Sequence, residues 1–242
     1  MKDEGISGPR PAPRLSIIVP CLDEAGGIVA TLESLRPLRE RGVEIIVADG
    51  GSNDDSVALA APLADRILTA PRGRASQMNA GAAAARGDLL LFLHADCALP
   101  PAADRLVVDG LAASGRLWGR FDVQLAGRNP LLYAVAFTMN WRSRLSGIAT
   151  GDQGMFVTRA LFTAIGGFPE IPLMEDVALS KLLKSHAAPL CLRQHITASG
   201  RRWEKCGVLR TIVLMWRLRL AYFCGADPVD LALRYESART HR

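Results

Sequence analysis

Long apolar runs, paired cysteines and basic clusters are what this chain of 242 residues lacks. No stretch reaches the roughly 20 consecutive apolar residues that a membrane-spanning helix needs. The five cysteines, Cys21, Cys97, Cys191, Cys206 and Cys224, include no C-x-x-C spacing and are odd in number. They therefore read as reduced thiols of a cytoplasmic chain, not as a disulfide frame or a zinc site. No arginine-rich run and no interleaving of basic with aromatic residues is present, which argues against nucleic acid as a partner. Residues 1–14 carry charges, glycines and three prolines but no apolar core of a secretory signal, so a disordered leader is expected there.

What is present is ordinary for a globular domain: 49% hydrophobic and 22% charged residues, with a net charge of +5. The positive balance suits an anionic ligand or a membrane surface. The length is enough for one large α/β domain with its own core.

Three times, a short apolar run ends in acidic residues. Leu15-Ser16-Ile17-Ile18-Val19 leads into Pro20-Cys21-Leu22-Asp23-Glu24. Val43 to Ala48 leads into Asp49-Gly50-Gly51-Ser52-Asn53-Asp54, and Leu89 to Leu93 into His94-Ala95-Asp96. If these runs are parallel strands, all three acidic groups meet at the carboxyl edge of one sheet, where open α/β sheets bind ligands. Carboxylates there repel a bare phosphate; they suit a divalent cation and sugar hydroxyls.

Helical spacing alternates with the strands. Gly26 to Arg36 is expected to be helical until Pro37 disturbs it, and Asp54 or Asp55 to cap a helix running to about Ala61. Arg66 to Thr69 reads as a strand, and the alanine-rich Ala75 to Ala85 as a helix. This order predicts a mainly parallel sheet with helices on both faces. Further on, a strand is expected at Leu117 to Leu125 and a helix at Pro130 to Leu145. A short strand at Gly154 to Thr158, a turn at Gly166 to Pro169 and a helix at Glu175 to Lys184 follow. The segment from Gly207 to Cys224 is apolar but broken by Arg210, Arg217 and Arg219. It reads either as a core-packed helix or as an interfacial helix at a membrane surface.

Taken alone, each acidic group has a plain structural explanation: a helix cap for Asp23 and Glu24, a tight turn for Asp49, a dipole-matching pair for Glu175 and Asp176. Residues i and i+2 of a strand share a side, so His94 and Asp96 can face one metal ion. A nicotinamide dehydrogenase is excluded, because the turn after the first strand holds two carboxylates where G-x-G-x-x-G is required.

In their order, these elements resemble the family 2 glycosyltransferases, inverting enzymes of the GT-A fold that use nucleotide-activated sugars. Val19-Pro20-Cys21-Leu22-Asp23-Glu24 is similar to the family's first strand end. Asp49-Gly50-Gly51-Ser52-Asn53-Asp54 is similar to its second, with one extra glycine. His94-Ala95-Asp96 falls on its Asp-x-Asp metal motif, and Glu175-Asp176 on its later acidic pair. The likeness covers about residues 15–205 and leaves 206–242 as a C-terminal helical extension, on the domain or on a membrane. Gly73-Arg74-Ala75-Ser76-Gln77-Met78-Asn79 further resembles a bacterial subgroup.

The resemblance implies roles. Pro20, Asp23, Glu24, Asp49, Arg74, Gln77, Asn79 and Ala95 would bind the donor. Asp96, with His94 in place of the usual aspartate, would hold Mn²⁺ or Mg²⁺. Asp176 would be the catalytic base, beside Glu175. Gly151, Asp152 and Gln153 would line the acceptor side. Ser199-Gly200-Arg201-Arg202-Trp203 is similar to a Gln-x-x-Arg-Trp element, which would add Arg202 and Trp203 there. The implied partners are a nucleotide sugar and a hydroxyl acceptor, lipid-linked at the inner face of a membrane in one reading, with peripheral contact through 207–224. The other reading is a non-catalytic binding or scaffolding module of the same fold.

Overall fold

The computed structural model describes residues 14–240, apart from the side chains at 202, 239 and 240; all but the last residue of the expected leader lies outside the described residues. Strand β1 (Leu15–Cys21), helix α1 (Ile28–Glu40), β2 (Glu44–Asp49), α2 (Ser56–Ala60), β3 (Arg66–Thr69), α3 (Arg74–Ala84) and β4 (Leu89–Phe92) come first. Then follow β5 (Cys97–Ala98), α4 (Ala103–Ser114), β6 (Trp118–Ala126), α5 (Leu131–Ser146), β7 (Phe156–Thr158), α6 (Arg159–Ala164) and α7 (Glu175–His186). The chain closes with β8 (Leu190–Ser199), α8 (Arg201–Cys206), α9 (Val208–Phe223) and α10 (Pro228–Thr240).

One eight-stranded sheet runs β3-β2-β1-β4-β7-β6-β8-β5. Its first four strands are all parallel, so the loops after β1, β2 and β4 open on the same edge. The other half is mixed: β7 is antiparallel to both β4 and β6, β6 and β8 are parallel, and β5 is antiparallel to β8. Alternate strand residues serve opposite faces. Ile17 and Val19 of β1 pack with α1, α4 and α5, whereas Ile18 packs with α3, α6 and α7. At Gly81 of α3 a Cβ would lie 2.4 Å from Ile18 Cγ2, so only glycine lets that helix approach β1 so closely.

Two expectations need correction. Pro37 does not end α1; the helix continues to Glu40 because Pro37 is exposed, Leu38 is buried and Arg39 is bonded to Asp65. Neither Asp54 nor Asp55 makes a conventional cap. Asp55 holds the cap position without a side-chain bond, while Asp54 Oδ1 accepts from Ser56 N at 3.0 Å.

A third core lies at the C-terminal side, where Leu218 of α9 and Leu231 of α10 pack with Ile148, Met174 and Val177. Met174 and Val177 flank the acid pair, so the last two helices brace the start of α7. Among the described residues no helix is long and apolar enough to cross a membrane.

Candidate active site

The loops after β1 and β2 are laced together by their own polar groups. The Asp23 amide donates to Ser52 Oγ (2.9 Å), the Glu24 amide to Ser56 Oγ (2.7 Å) and the Ala25 amide to Asp54 Oδ2 (3.0 Å), while Asp23 Oδ1 accepts from the Asn53 amide (2.8 Å). Asp23 adopts φ +52°, a left-handed conformation that aspartate tolerates better than most residues. Asp49 is buried, and its carboxylate accepts from the Gly51 and Ser52 amides and the Ser52 hydroxyl. It shapes the loop and does not line the cleft beside it.

That cleft, about 430 Å³, is lined by Pro20, Asp23, Glu24, Arg72, Arg74, Gln77, His94, Ala95, Asp96, Asp152 and Glu236 among others. A larger cavity of about 740 Å³ sits around Leu15 and Glu44, at the opposite ends of the strands, and touches none of the expected site residues. Gln77 is almost fully buried, and its amide nitrogen donates to the carbonyls of Cys21 (2.6 Å) and Ala48 (2.9 Å), tying β1 to β2. Asn79 lies away from the cleft; its amide exchanges two hydrogen bonds with the Phe168 backbone, both 2.9 Å, and so holds the Gly166–Pro169 turn. Arg72 and Arg74 flank the N-terminus of α3, which has no side-chain cap.

His94, Asp96 and Cys97 bring ligand atoms within 4.8 Å of one another. Burial pushes the Cys97 thiol well above its ordinary value, and Asp152 and Asp96 push the same way. His94 and Asp96 line the cleft whereas Cys97 is buried beneath it, and carboxylate and imidazole suit Mn²⁺ or Mg²⁺ better than a soft thiolate does, so those two are the pair suited to such an ion. His94 Nδ1 stands 3.3 Å from Asp152 Oδ1. Gly151 backs onto the imidazole so tightly that a Cβ there would lie 2.3 Å from the ring.

The acid pair opens α7. Met174, the residue before it, is forced to φ +68°, and such strain in a bulky residue is typical of functional sites. Asp176 accepts from the Gly151 amide at Oδ2 (2.9 Å) and from the Val177 amide at Oδ1 (2.7 Å). Glu175 is only 5% exposed and faces Arg74, 3.9 Å away. Burial, then the neighbouring Asp176, raises the Glu175 pKa, and Arg74 offsets part of that. Desolvation opposes the charge of Arg74, but Glu175, Asp152 and Asp176 outweigh it and hold its pKa above the ordinary value. Glu24 is raised by burial and by Asp96. The site is thus a cluster of carboxylates short of positive charge.

Of the expected acceptor-side residues, Asp152 is central and Gln153 is not. Gln153 is fully buried; its Oε1 accepts from the Thr150 amide and its Nε2 donates to Asn140. Asp152 lines both the polar cleft and a second, apolar groove of about 290 Å³ between α5 and α9. Trp203 lines that groove, and the Arg202 side chain lies outside the described residues. Arg72, Glu236 and the groove itself escape the sequence reading. Arg72 carried a usable signal, two residues before Arg74 at a helix start. Glu236 carried none, since only the packing of α10 brings it here.

The sequence profile described as Glycosyl transferase family 2 matches residues 16–161, a span that ends before the acid pair. The uncharacterized glycosyltransferase MT1564 of Mycobacterium tuberculosis is 34% identical over 167 residues, covering 65% of this chain and 63% of that protein. The chain thus spans less than two thirds of that relative's length. Among solved structures, S. aureus TarS 1-349 in complex with UDP-GlcNAc aligns with a TM-score of 0.63 at 17% identity, over 77% of this chain and 58% of that one. The mannosyltransferase PcManGT from Pyrobaculum calidifontis, in complex with GDP-Man and Mn²⁺, aligns with a TM-score of 0.61 at 20% identity, over 94% and 70%. At these identities the likeness is one of fold, and it matches the GT-A architecture expected from the sequence. With its profile matched over more than half of its length, the chain belongs to glycosyl transferase family 2.

Proposed function

We propose that this chain is an inverting glycosyltransferase of the Gly-Arg-Ala-x-Gln-Met-Asn subgroup, moving one sugar from a nucleotide donor to a hydroxyl acceptor. The observation that carries the reading is the link from His94 through Asp152 and Gly151 to Asp176, which joins the metal-type group to the acid pair within one site. Pro20, Asp23, Glu24 and Ala95 are assigned to the base and ribose, with Asp49 and Gln77 holding their loops. Arg72, Arg74 and the uncapped start of α3 present positive potential to the donor's diphosphate. His94 and Asp96 would hold a divalent ion, Mn²⁺ suiting the imidazole better than Mg²⁺. When bound, such an ion neutralises charge on the departing diphosphate.

Asp176 takes the proton of the acceptor hydroxyl. The acceptor oxygen bonds to the anomeric carbon from the face opposite the diphosphate, the carbon–oxygen bond to phosphate breaks, and its electron pair leaves with the nucleoside diphosphate. The two amide bonds to Asp176 fix the carboxylate for that attack. Glu175 and Arg74 set the charge beside it.

The acceptor is assigned as lipid-linked, reached by peripheral contact with the inner face of a membrane. Leu209, Val213, Trp216, Leu220 and Phe223 form an exposed stripe along α9, with Arg210 and Arg217 also exposed, which is the pattern of an interfacial helix. Tyr133, Phe137, Trp141 and Leu145 extend a similar exposed stripe along α5.

The test is a calorimetric titration with a panel of nucleotide sugars, with and without Mn²⁺. Metal-dependent binding of one donor is expected. Folded protein that binds none of them overturns the reading. A donor that binds but is never turned over, even with every acceptor class supplied, favours the non-catalytic module.

A further inference from the structure

The polar cleft is bounded on one side by a helix from the far end of the chain. Glu236 of α10 lines it together with Arg72 and Arg74, and Tyr235 stands close enough to Arg74 to act on its charge. The two arginines flank the uncapped start of α3, where an anion gains from helix and side-chain charge together. A carboxylate in that place works against a diphosphate. The other acids of the cleft, Asp23, Glu24, Asp96 and Asp152, come from the loops after β1 and β4 and from the turn before β7. They are built into the edge of the sheet, whereas Glu236 arrives on an element that can leave.

Helix α10 has a fixed root and a weakly held second half. Its entry turn holds Gly225 at φ +90°, and the Asp227 carboxylate accepts from the Val229 amide at 2.9 Å. Leu231 is fully buried in the third core. From 232 to 238 no residue is buried, Leu233 is 60% exposed, and Tyr235 is the one large side chain even partly covered. A segment with so few apolar contacts opens at low free energy, and two turns of helix have little stability of their own.

We propose that the second half of α10 is an autoinhibitory strap: Glu236 occupies the ground beside Arg72 and Arg74 that an incoming nucleoside diphosphate needs, and the diphosphate opens the cleft by displacing it. This rests on the glycosyltransferase reading above, and it leaves Leu231, and with it the support of α7, in place. The nucleotide binds the open form alone, so a strap closed about four-fifths of the time weakens its apparent affinity about fivefold.

The test is calorimetry of the intact protein with UDP, GDP, CDP, ADP and dTDP in the presence of Mn²⁺, on wild type, Glu236→Gln and Asp230→Asn, joined to hydrogen exchange of wild type. Asp230 is exposed on the same helix and outside the cleft, so its variant controls for net charge. Glu236→Gln is expected to bind the preferred nucleotide about fivefold tighter, and Asp230→Asn to bind it as wild type does. Saturating nucleotide should speed exchange of the amides at 232–238 and slow it in the loops after β1 and β2. Weaker or unchanged binding by Glu236→Gln overturns the proposal, since Glu236 then assists the nucleotide or stands clear of it. Equal tightening by Asp230→Asn overturns it as an effect of net charge alone. Slower or unchanged exchange in α10 does so too, as it marks a helix that closes over the nucleotide or stays in place. In each of these cases nucleotide binding itself keeps the glycosyltransferase reading. If no protein binds any of the five nucleotides, that reading falls, and α10 has no diphosphate to make way for.

Discussion

Two buried glutamates sit in different halves of this molecule and face opposite fates. Glu44, at the start of β2 in the parallel half, is 2% exposed and fully partnered: it accepts from the Ser16 hydroxyl (2.6 Å), the Arg86 amide (2.8 Å) and the Arg86 guanidinium (2.8 Å). Burial pushes its pKa up, but these bonds win, and the net shift is downward. Glu175, where α7 meets the site, is as deeply buried yet has one distant arginine and a carboxylate neighbour, and its pKa rises. At the ends of the strands away from the site, polar groups such as Glu44 are resolved internally. At the site itself Glu175 and Glu24 are left short of partners, and burial raises the pKa of both. The buried carboxylates with raised pKa thus lie at the proposed site, which is where a protein can exchange stability for function.

The contrast can be broken most sharply at the proposed base. Asp176→Asn should cut sugar transfer about a thousandfold, within the range for a positioned general base, with donor affinity nearly unchanged. A single-turnover assay with calorimetry of donor binding checks both. If transfer survives, Asp176 belongs to the scaffold and the distinction between halves fails there.

The next largest effect tests the resolved half. Glu44→Ala should cost about 2 kcal/mol by stranding the buried Ser16 hydroxyl and removing the bonds to Arg86, a fall in Tm of roughly 4–8 °C for a chain of this size. Because the Glu44 pKa is depressed, its contribution is present above the ordinary carboxylate value and is lost as pH falls through the folded-state value. The gap between wild type and variant should therefore close on acidification, as melting curves would show.

Gly151→Ala, at the junction between His94 and Asp176, should lower kcat by roughly 10–100-fold through misplacement of both groups, with a small change in Tm. A variant of ordinary activity would show that this junction is not part of the chemistry.

For Glu175 the sign is reversed. A raised folded-state pKa means that its favourable contribution is full below the ordinary carboxylate value and fades as pH rises through the folded-state value. Glu175→Gln should match wild-type stability in acid and exceed it toward neutral pH. A variant less stable than wild type at neutral pH would show that the Arg74 pairing outweighs burial.

The smallest expected change in stability is at the exposed stripe. Leu220, 66% exposed, should tolerate serine within about 0.5 kcal/mol. Co-sedimentation with anionic vesicles should nonetheless fall. Unchanged partition would leave the stripe without a membrane role.

Legibility followed the same division. Strands β1, β2, β3 and β4 and helix α3 stand close to where the residue pattern predicts them, because unbroken apolar runs and an alanine-rich turn are local signals. The first two cores depend on such alternation. Helix α4 and strand β8 were not anticipated. The mixed pattern Leu190-Cys191-Leu192-Arg193-Gln194-His195 has no strand period, and pairing with β6 makes it a strand despite a register shift at Phe121–Asp122. Within the site, proximity of Asp23, Glu24, His94 and Asp96 was legible from parallel order alone. The turning inward of Asp49, Gln77, Asn79 and Gln153, each used to hold a loop or turn, was not.

From the residues by themselves came the strand–acid units, the parallel half, the family and the acid pair, since each is written in a few neighbouring positions and short-range periodicity. Tertiary structure alone decided that Asp152 joins two pockets and that Glu236 enters the cleft from α10. Those juxtapositions join residues far apart in the chain, His94 and Asp152 or Asp23 and Glu236, and no local pattern encodes how distant elements will meet.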